Sequence, residues 1–475
     1  YAASAVASRL QDCEAKVLIT ADGFYRRGNV VSMKETADSA VAESPTVEHV
    51  IVFNRLGRVD LPWTDGRDVR WDDLIQTQSR TCEPEDTAAD DPMMIIYTSG
   101  TTGKPKGAVH THAGFPLKAA QDMSQGFDVQ GDDLVFWYTD MGWMMGPWLF
   151  CGALILGATA LLYEGTPEFP RPDRIWDIVE RHGVTLLGIS PTAIRGLMPY
   201  GDDWVAKHDL SSLRALGSTG EPWNPDPYMW FFNKVGGGRC PILNYSGGTE
   251  IAGGIIGCFT ITPLKPASFS GPVPGIAADV VDELGNPVRG EVGELVIRNS
   301  WPGMTNGFWK DPDRYLEAYW SRWPDIWVHG DWALVDDEGY WYIQGRSDDT
   351  IKIAGKRLGP AEVESAAITH SSVQECAAIG VPDELKGQVV VCFVILRPGN
   401  EPSDALRDEI KDAVARVLGK PMRPEAVKFT RDIPKTRNAK IMRRLIRARY
   451  LNAADLGDMT GLENPAAIDA IAEAS

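Results

Sequence analysis

Short apolar runs alternate with amphipathic stretches through the middle of the chain. Runs of about four to eight apolar residues predict buried strands, and a repeat near 3.6 residues predicts helices. The predicted strands are Met93–Ile96, Leu134–Tyr138, Ala158–Tyr163, Val184–Ile189 and Ile242–Tyr245, and the predicted helices are Ala113–Met123, Arg174–His182 and Pro191–Leu197. This alternation predicts an α/β fold built on mixed or parallel sheets covered by helices.

The pattern changes on both sides of this region. The first 90 residues combine a helix at Ala2–Leu10 with short strands at Val17–Thr20 and His49–Phe53. From about residue 270 to 345, glycines and prolines punctuate shorter strands, which predicts a β-rich lobe. Those strands are Ala278–Val281, Gly293–Arg298 and Tyr340–Gln344.

A small α+β unit is predicted to follow residue 347, because strands and helices there form a set of domain size. Its helices are Pro360–Thr369 and Asp404–Leu418, its strands are Glu375–Ile379 and Val389–Leu396, and the tail after Ala453 is predicted to form a peripheral helix. The predicted domains are therefore 1–347 and 348–475.

Composition narrows the choice of partners. The chain has 475 residues, of which 44% are hydrophobic and 24% charged, and its net charge is −18. Such an acidic surface argues against nucleic acid or an anionic membrane as a partner. The seven scattered cysteines favour reduced thiols and a cytoplasmic setting. No apolar run is long enough to predict a spanning helix, and a chain that begins at Tyr1 says little about targeting.

The segment after the strand Met93–Ile96 is rich in hydroxyls, glycines and lysines. It comprises Thr98, Ser99, Gly100, Thr101, Thr102, Gly103 and Lys104. Glycine lets backbone N–H groups approach an anion, hydroxyls add donors and lysine adds charge. The spacing is not that of a Walker loop. The segment predicts a polyphosphate cradle, although the same composition also fits a surface turn.

Further motifs follow the loop in a fixed order: Gly220-Glu221-Pro222, Asn244-Tyr245-Ser246-Gly247-Gly248-Thr249-Glu250, His329-Gly330-Asp331 and Lys435-Thr436-Arg437-Asn438-Ala439-Lys440. Together they resemble the AMP-forming acyl-CoA synthetases, most closely the acetyl-CoA synthetase branch of the adenylate-forming superfamily. The resemblance runs over essentially the whole chain, and the family's chains extend further at the front. It implies that ATP and a carboxylate give an acyl-adenylate and pyrophosphate, after which CoA displaces AMP.

The resemblance also implies roles for residues around ATP. The loop from Thr98 to Lys104 would hold the β- and γ-phosphates, and Thr249 would also contact phosphate. Glu250 would hold Mg²⁺, a hard cation that takes carboxylate and phosphate oxygens. The implied nucleotide contacts are Gly220, Glu221 and Pro222 at adenine, Asp331 at ribose, Arg346 nearby and Arg357 at phosphate.

In the last part of the chain, the resemblance implies that Lys440 is the catalytic lysine and Asp348 the hinge. The family commonly has Ser-Gly before this lysine, where this chain has Asn438-Ala439. For CoA, the implied contacts are Gly355 beside the pantetheine tunnel, Arg26 and, on a looser match, Arg423. One family arginine is replaced by Asn29.

The acyl pocket is where the chain departs from the acetate enzymes. Trp143, Met144, Met145 and Thr219 match its walls, but Gly247 stands where those enzymes carry a tryptophan floor. Loss of an indole removes a large apolar wall, so we expect an acid larger than acetate.

Three other interpretations stay open at this stage. The chain could load an acyl group onto a carrier-protein thiol, it could be an acetate- or propionate-specific ligase, or it could be a truncated, non-catalytic nucleotide binder. Binding of CoA would distinguish a CoA ligase from an enzyme that loads a carrier protein. Formation of an adenylate would distinguish an active enzyme from a nucleotide binder. The oligomeric state is not predicted.

Overall fold

The structure is a computed structural model. It describes residues 2–98, 106–347, 351–353, 356–383, 387–436, 441–453, 455–457, 459 and 461–475, and only the backbone of Lys352, Lys356 and Arg357.

The strands are numbered in chain order. They are β1 Val17–Ala21, β2 Phe24–Arg26, β3 Asn29–Val31, β4 His49–Phe53, β5 Asp68–Arg70, β6 Pro92–Thr98, β7 Lys106–Thr111, β8 Leu134–Trp137, β9 Thr159–Leu161, β10 Leu186–Gly188, β11 Ala215–Ser218, β12 Ile242–Gly248, β13 Gly253–Gly257, β14 Gly271–Pro272, β15 Ala278–Val281, β16 Val292–Ile297, β17 Trp327–Val335, β18 Trp341–Arg346, β19 Ile351–Ile353, β20 Lys356–Leu358, β21 Val373–Asp383, β22 Gly387–Leu396 and β23 Ala426–Phe429.

The α-helices are numbered in the same way. They are α1 Ala3–Asp12, α2 Met33–Ala42, α3 Trp71–Gln76, α4 Gly114–Gln121, α5 Met145–Ile155, α6 Arg174–His182, α7 Pro191–Leu197, α8 Asp203–Ala206, α9 Pro225–Trp230, α10 Pro312–Trp320, α11 Pro360–Ile368, α12 Asp404–Leu418, α13 Arg443–Tyr450 and α14 Ala466–Ala472. A π-helical turn at Asp122–Gly126 extends α4, and a 3₁₀ turn at Thr249–Ile251 follows β12.

A seven-stranded sheet forms the centre, with the order β14-β13-β12-β11-β10-β8-β9. The five strands from β12 to β9 run parallel, whereas β13 and β14 are antiparallel. One hydrophobic cluster contains Phe115 and Trp148 of the adjoining helices, and a second contains Trp176 and Phe231. The predicted α/β fold is confirmed, because helices cover this sheet as βαβ connections require.

The strand before the phosphate-loop segment differs from its prediction. Among the residues that the structure describes, β6 pairs only with β7, in a separate antiparallel hairpin. Of the four residues expected to be buried, only Ile96 is, while Met93, Met94 and Ile95 are half-buried. A two-stranded ribbon has one face to cover, so its apolar residues are only partly enclosed.

The β-rich lobe is present as an antiparallel sheet in the order β15-β16-β17-β18. Further along, β20-β19-β22-β21 form another sheet to which β23 adds beside β22. The tail helix α14 is not peripheral as expected. It buries Ala467, Ile468, Ala470 and Ile471, and Ile471 packs in one cluster with Ile379 and Phe393 of that sheet.

The division of the chain at residue 347 stays a prediction, and the proposed hinge Asp348 lies outside the described residues. Among the residues that are described, no helix has both the length and the apolar character needed to cross a bilayer.

Candidate active site

The central sheet brings several sequence motifs to one edge. β8 ends at Trp137, β11 at Ser218 and β12 at Gly248, and these strands run parallel. The carboxyl ends of parallel strands share one edge, where ligands of open α/β sheets bind. The tract 140–146, the turn 219–222 and the pair Thr249-Glu250 all follow these ends.

The indole of Trp137 leaves no room for side chains at two positions beside this edge, and both are glycines. Trp137 pairs with Gly188 in the sheet, and its ring lies across both Gly188 and Gly217. A Cβ at Gly188 would overlap the indole, and one at Gly217 would lie 2.7 Å from it. Both positions therefore require glycine for the ring to be seated.

The phosphate-loop segment is described only at its two ends. Thr98 and Lys106 are register partners in the β6–β7 hairpin. The predicted phosphate contacts Ser99, Gly100, Thr101, Thr102, Gly103 and Lys104 lie outside the described residues. The Lys106 ammonium lies 5.4 Å from the ring centre of Phe308 and 5.5 Å from that of Tyr319. These cation–π contacts place the end of the hairpin over Tyr319.

Tyr319 connects the hairpin to the predicted magnesium ligand. Its hydroxyl donates to Glu250 Oε1 at 2.6 Å, and its ring stacks on Trp327 with centroids 4.0 Å apart. Burial, with the nearby charge of Glu250, raises the pKa of Tyr319, which keeps the hydroxyl protonated as a donor. The carbonyl oxygen of Glu250 accepts from the Thr305 N–H at 3.0 Å. Side chain and backbone of Glu250 are thus both fixed.

The residues around Glu250 fit Mg²⁺ in a nucleotide site. Mg²⁺ in such sites uses one or two carboxylates and takes its remaining ligands from phosphate and water. Glu250 is a buried carboxylate, and Thr249 beside it carries a hydroxyl. Within the described ranges, no group of three or more acidic, histidine or cysteine side chains could hold a metal without a substrate.

The predicted ribose contact and Arg346 are brought together by strand pairing. Asp331 and Arg346 are register partners in β17 and β18, and the guanidinium Nη1 lies 3.3 Å from Asp331 Oδ1. Gly330 has φ +85°, and a Cβ there would lie 2.9 Å from Arg346 Nη2. A carboxylate at this place can accept hydrogen bonds from two hydroxyls.

Sequence reasoning quoted His329 within a motif but assigned it no role, and the structure shows that it joins the ribose and magnesium motifs. Its Nε2 lies 3.5 Å from Asp331 Oδ2, and its Cε1 lies 2.8 Å from where a Cβ of Gly248 would stand. Burial lowers the pKa of His329, so the ring is neutral at pH 7. The sequence offered one signal for this contact. His329 and Asp331 are two residues apart, and alternate residues of a strand face the same side of the sheet.

The turn predicted to line adenine, residues 219–222, is held by side-chain contacts with α7. Arg195 lies 2.9 Å from the carboxylate of Glu221, and the Thr192 hydroxyl donates to the same group. Gly220 has φ +109°, a conformation that favours glycine. Thr219 and Pro222 are half-buried. The structure thus fixes the turn to α7 through Glu221.

The structure corrects the expectation of open space at Gly247. A Cβ there would overlap the carbonyl oxygen of Gly253 and lie 2.7 Å from the Cα of Gly254. β13 therefore occupies the side-chain direction of this residue, and an indole cannot be accommodated with this backbone. Trp143 and Met144 are half-buried, while Met145 is buried in the cluster that contains Tyr245.

A buried ion pair lies behind this part of the site and was also missed. Asp122 Oδ1 is 2.5 Å from the Lys118 ammonium, and Oδ2 accepts from the Tyr245 hydroxyl and, at 3.0 Å, from the Gly254 N–H. Asp122 thus fixes β13 against β12. The spacing of four residues on a helix was the available signal.

The predicted CoA contacts are engaged by carboxylates in the structure. Arg26 Nη2 lies 2.6 Å from Glu463 Oε1. Arg423 contacts Asp412 at 2.8 Å and Asp408 at 3.0 Å. Gly355, Lys440 and the side chain of Arg357 lie outside the described residues, so their roles stay predictions.

Two parts of this chain match known protein families. Residues 1–309 match the family "AMP-binding enzyme", and residues 362–440 match "AMP-binding enzyme C-terminal domain". Acetyl-coenzyme A synthetase of Pyrobaculum aerophilum is 45% identical over 99% of this chain and 71% of its own length.

Two solved structures are also similar. Acetoacetyl-CoA synthetase from Streptomyces lividans has a TM-score of 0.90 at 31% identity, over all of this chain and 72% of its own. The anthranilate CoA ligase AuaEII, solved with anthranoyl-AMP, has a TM-score of 0.80 at 28% identity, over 96% of this chain and 82% of its own.

Proposed function

The chain belongs to the AMP-binding enzyme family and is an AMP-forming acyl-CoA synthetase, an acid–thiol ligase, and from this premise we propose that it activates a carboxylic acid larger than acetate. The observation that supports the proposal is that residue 247 is a glycine against which β13 packs, so that no side chain can stand there. The space at Gly247 is filled by β13, but the indole that closes the pocket floor of the acetate enzymes, as the resemblance implies, is absent.

The similar proteins are named for different acids. The curated relative is named for acetate, whereas the two solved neighbours are named for acetoacetate and anthranilate. The residue at position 247 decides between them in our proposal, because pocket walls of large and small side chains discriminate acids by about 1–3 kcal/mol per methylene.

In the adenylating step, we assign ATP to the edge where the motifs meet. The loop from Thr98 to Lys104 holds the phosphates that leave as pyrophosphate, and Asp331 accepts from the ribose hydroxyls. Glu250, whose carboxylate accepts a hydrogen bond from the Tyr319 hydroxyl, would hold Mg²⁺. When bound, this ion neutralises charge that develops on the leaving phosphates. Arg346, beside Asp331, adds positive charge to the nucleotide side.

Lys440 supplies a further cation in this step. It reaches the carboxylate and the α-phosphate, two anions that repel each other as the carboxylate attacks phosphorus. A donor fixed at developing charge contributes about 3–4 kcal/mol. Arg357 is the proposed ATP-phosphate contact of the adenylating step. In the thioester-forming step, Gly355 leaves room for the CoA thiol, Arg26 and Arg423 are the proposed contacts to CoA, and Asp348 is the proposed hinge.

Acid-dependent exchange of pyrophosphate into ATP tests the proposed acid directly. Exchange is measured with acetate, propionate, butyrate and hexanoate. We expect kcat/KM to rise by about tenfold or more from acetate to the best longer acid. A higher kcat/KM with acetate than with every longer acid would refute the proposal.

A pair of methionine variants locates the pocket. Met144→Ala removes most of a side chain assigned to the pocket wall and so enlarges the pocket. The acid with the highest kcat/KM should therefore be a longer one than in the wild type. Met141→Ala is the matched control, because Met141 lies in the same tract but is 51% exposed. An equal shift in both variants would show that Met144 does not line the pocket.

A further inference from the structure

An ion pair joins two distant parts of the chain near the proposed CoA site. Arg26, at the end of β2, and Glu463, before α14, are 437 residues apart in sequence, and Arg26 Nη2 lies 2.6 Å from Glu463 Oε1. Both side chains are 32% exposed. The pair is therefore reachable by a ligand and only partly shielded from solvent.

The segment that carries Glu463 also contacts the residues directly before the Lys440 loop. The Glu463 N–H donates to the Lys435 carbonyl oxygen at 2.9 Å, and Leu462 forms a β-bridge with Thr436. Lys435 in turn forms a bridge with Ile441. Because these contacts are backbone contacts, a movement of Glu463 also moves the residues that flank 437–440.

The charges around Arg26 are already balanced. Arg27 pairs with Glu168 at 2.7 Å, while Arg26 pairs with Glu463. Tyr138 is also close, and its pKa is raised mainly by burial. A phosphate that approaches Arg26 meets the carboxylate of Glu463 on the same guanidinium. Two anions on one cation repel, so the phosphate with its higher charge competes with the carboxylate.

We propose that Glu463 is a positioning residue that holds the flanks of the Lys440 loop to the N-terminal part of the chain until a CoA phosphate displaces it from Arg26. The proposal rests on the proposed assignments of Arg26 to CoA and of Lys440 to adenylation. It couples the two steps, because arrival of the second substrate releases a contact that favours the first. No covalent change is involved.

Glu463→Gln tests the coupling, since it removes the charge and keeps the shape. A pair that is one-third exposed contributes modestly, so we expect changes of about threefold to fivefold. Acid-dependent pyrophosphate exchange should slow by that factor, while the KM for CoA should fall by a similar factor. The second measurement uses preformed acyl-adenylate and varies CoA.

Glu473→Gln is the matched control. Glu473 pairs with Arg431 at 2.6 Å in the same terminal region, with both side chains exposed, and this pair does not reach the N-terminal part. It should leave both steps unchanged. A purely structural role of Glu463 would lower thermal stability without opposite effects on exchange and on the KM for CoA.

A charge exchange completes the test. Arg26→Glu alone should slow exchange and raise the KM for CoA, and adding Glu463→Arg should restore exchange but not the KM. An unchanged KM for CoA in Glu463→Gln, with active wild type, would overturn the coupling alone. Absence of acid-dependent exchange in the wild type would instead overturn the proposed assignments on which it rests.

Discussion

At the scale of residues, His110 shows how burial next to the site controls a titratable group. It lies on β7 with a 1% exposed side chain, packed edge-on against Phe115 at 5.0 Å. Burial lowers the pKa of His110 to about 4, although the charge of Glu250 opposes that shift. The ring is therefore neutral in the native state at pH 7.

Stability should consequently fall in mild acid. The unfolded chain binds a proton on this histidine near pH 6.5, while the native chain does so only near pH 4. Between these values the unfolded state binds more protons, so the free energy of unfolding decreases as the pH falls, by about 3 kcal/mol in total.

Urea unfolding at pH 7.5 and pH 5 measures this contribution. The pH dependence should be smaller in His110→Phe than in the wild type. His112→Gln is the control, because His112 is exposed two residues away. If His110→Phe kept the full pH dependence of the wild type, the loss would have to originate elsewhere.

Single residues of the site differ in how far the sequence could predict them. Asp331 and Arg346 could be named from their motifs, and strand pairing brings them together. Tyr319 could not, because its contact with Glu250 joins residues far apart in sequence and depends on the stack against Trp327. Arg26 was named for a ligand, but its carboxylate partner lies at the other end of the chain.

At the scale of elements, the π-helical turn after α4 places Asp122 under β13. Lys118 and Asp122 are both fully enclosed, and the Gly254 N–H donates to Asp122. Asp122→Asn leaves the Lys118 ammonium buried without its counter-charge. Breaking a buried pair in this way costs about 3–5 kcal/mol.

We therefore expect Asp122→Asn to lower the free energy of unfolding by that amount, measured by urea titration at pH 7.5. Asp132→Asn is the control, since Asp132 is exposed. A change of less than about 1 kcal/mol in Asp122→Asn would show that the pair is not required for stability.

Elements were predictable where local pattern decides them. The βα alternation that gives β8, β10, β11 and β12 is visible in the apolar runs, and so are α6 and α12. The pairing of β6 with β7 is not, because an apolar run does not name its partner strand. The burial of α14 was missed since its contacts with β21 and β22 come from the tertiary fold.

At the scale of the whole molecule, the early and late parts of the chain meet beside the nucleotide motifs. Asn224, next to the turn 219–222, donates to the Ser365 hydroxyl of α11 at 2.7 Å. The Arg26–Glu463 pair adds a second contact between these parts. Both contacts must change if the late part rotates between the two steps.

The assignment of Lys440 predicts that the two steps can be separated. Lys440→Ala should slow acid-dependent pyrophosphate exchange by roughly 10²–10³, because a donor to developing charge is lost. Reaction of preformed acyl-adenylate with CoA should stay within a few-fold of wild type. Lys420→Ala, at an exposed position, is the control. Equal losses in both steps would mean that the lysine is misassigned.

The central claim is that this acyl-CoA synthetase prefers an acid larger than acetate, and one competition measures it. The wild-type chain is given ATP, Mg²⁺, CoA and an equimolar mixture of acetate, propionate, butyrate and hexanoate, and the CoA thioesters are quantified by mass spectrometry at early times. We predict that a thioester longer than acetyl-CoA dominates by about tenfold. Predominance of acetyl-CoA in that mixture would contradict the account.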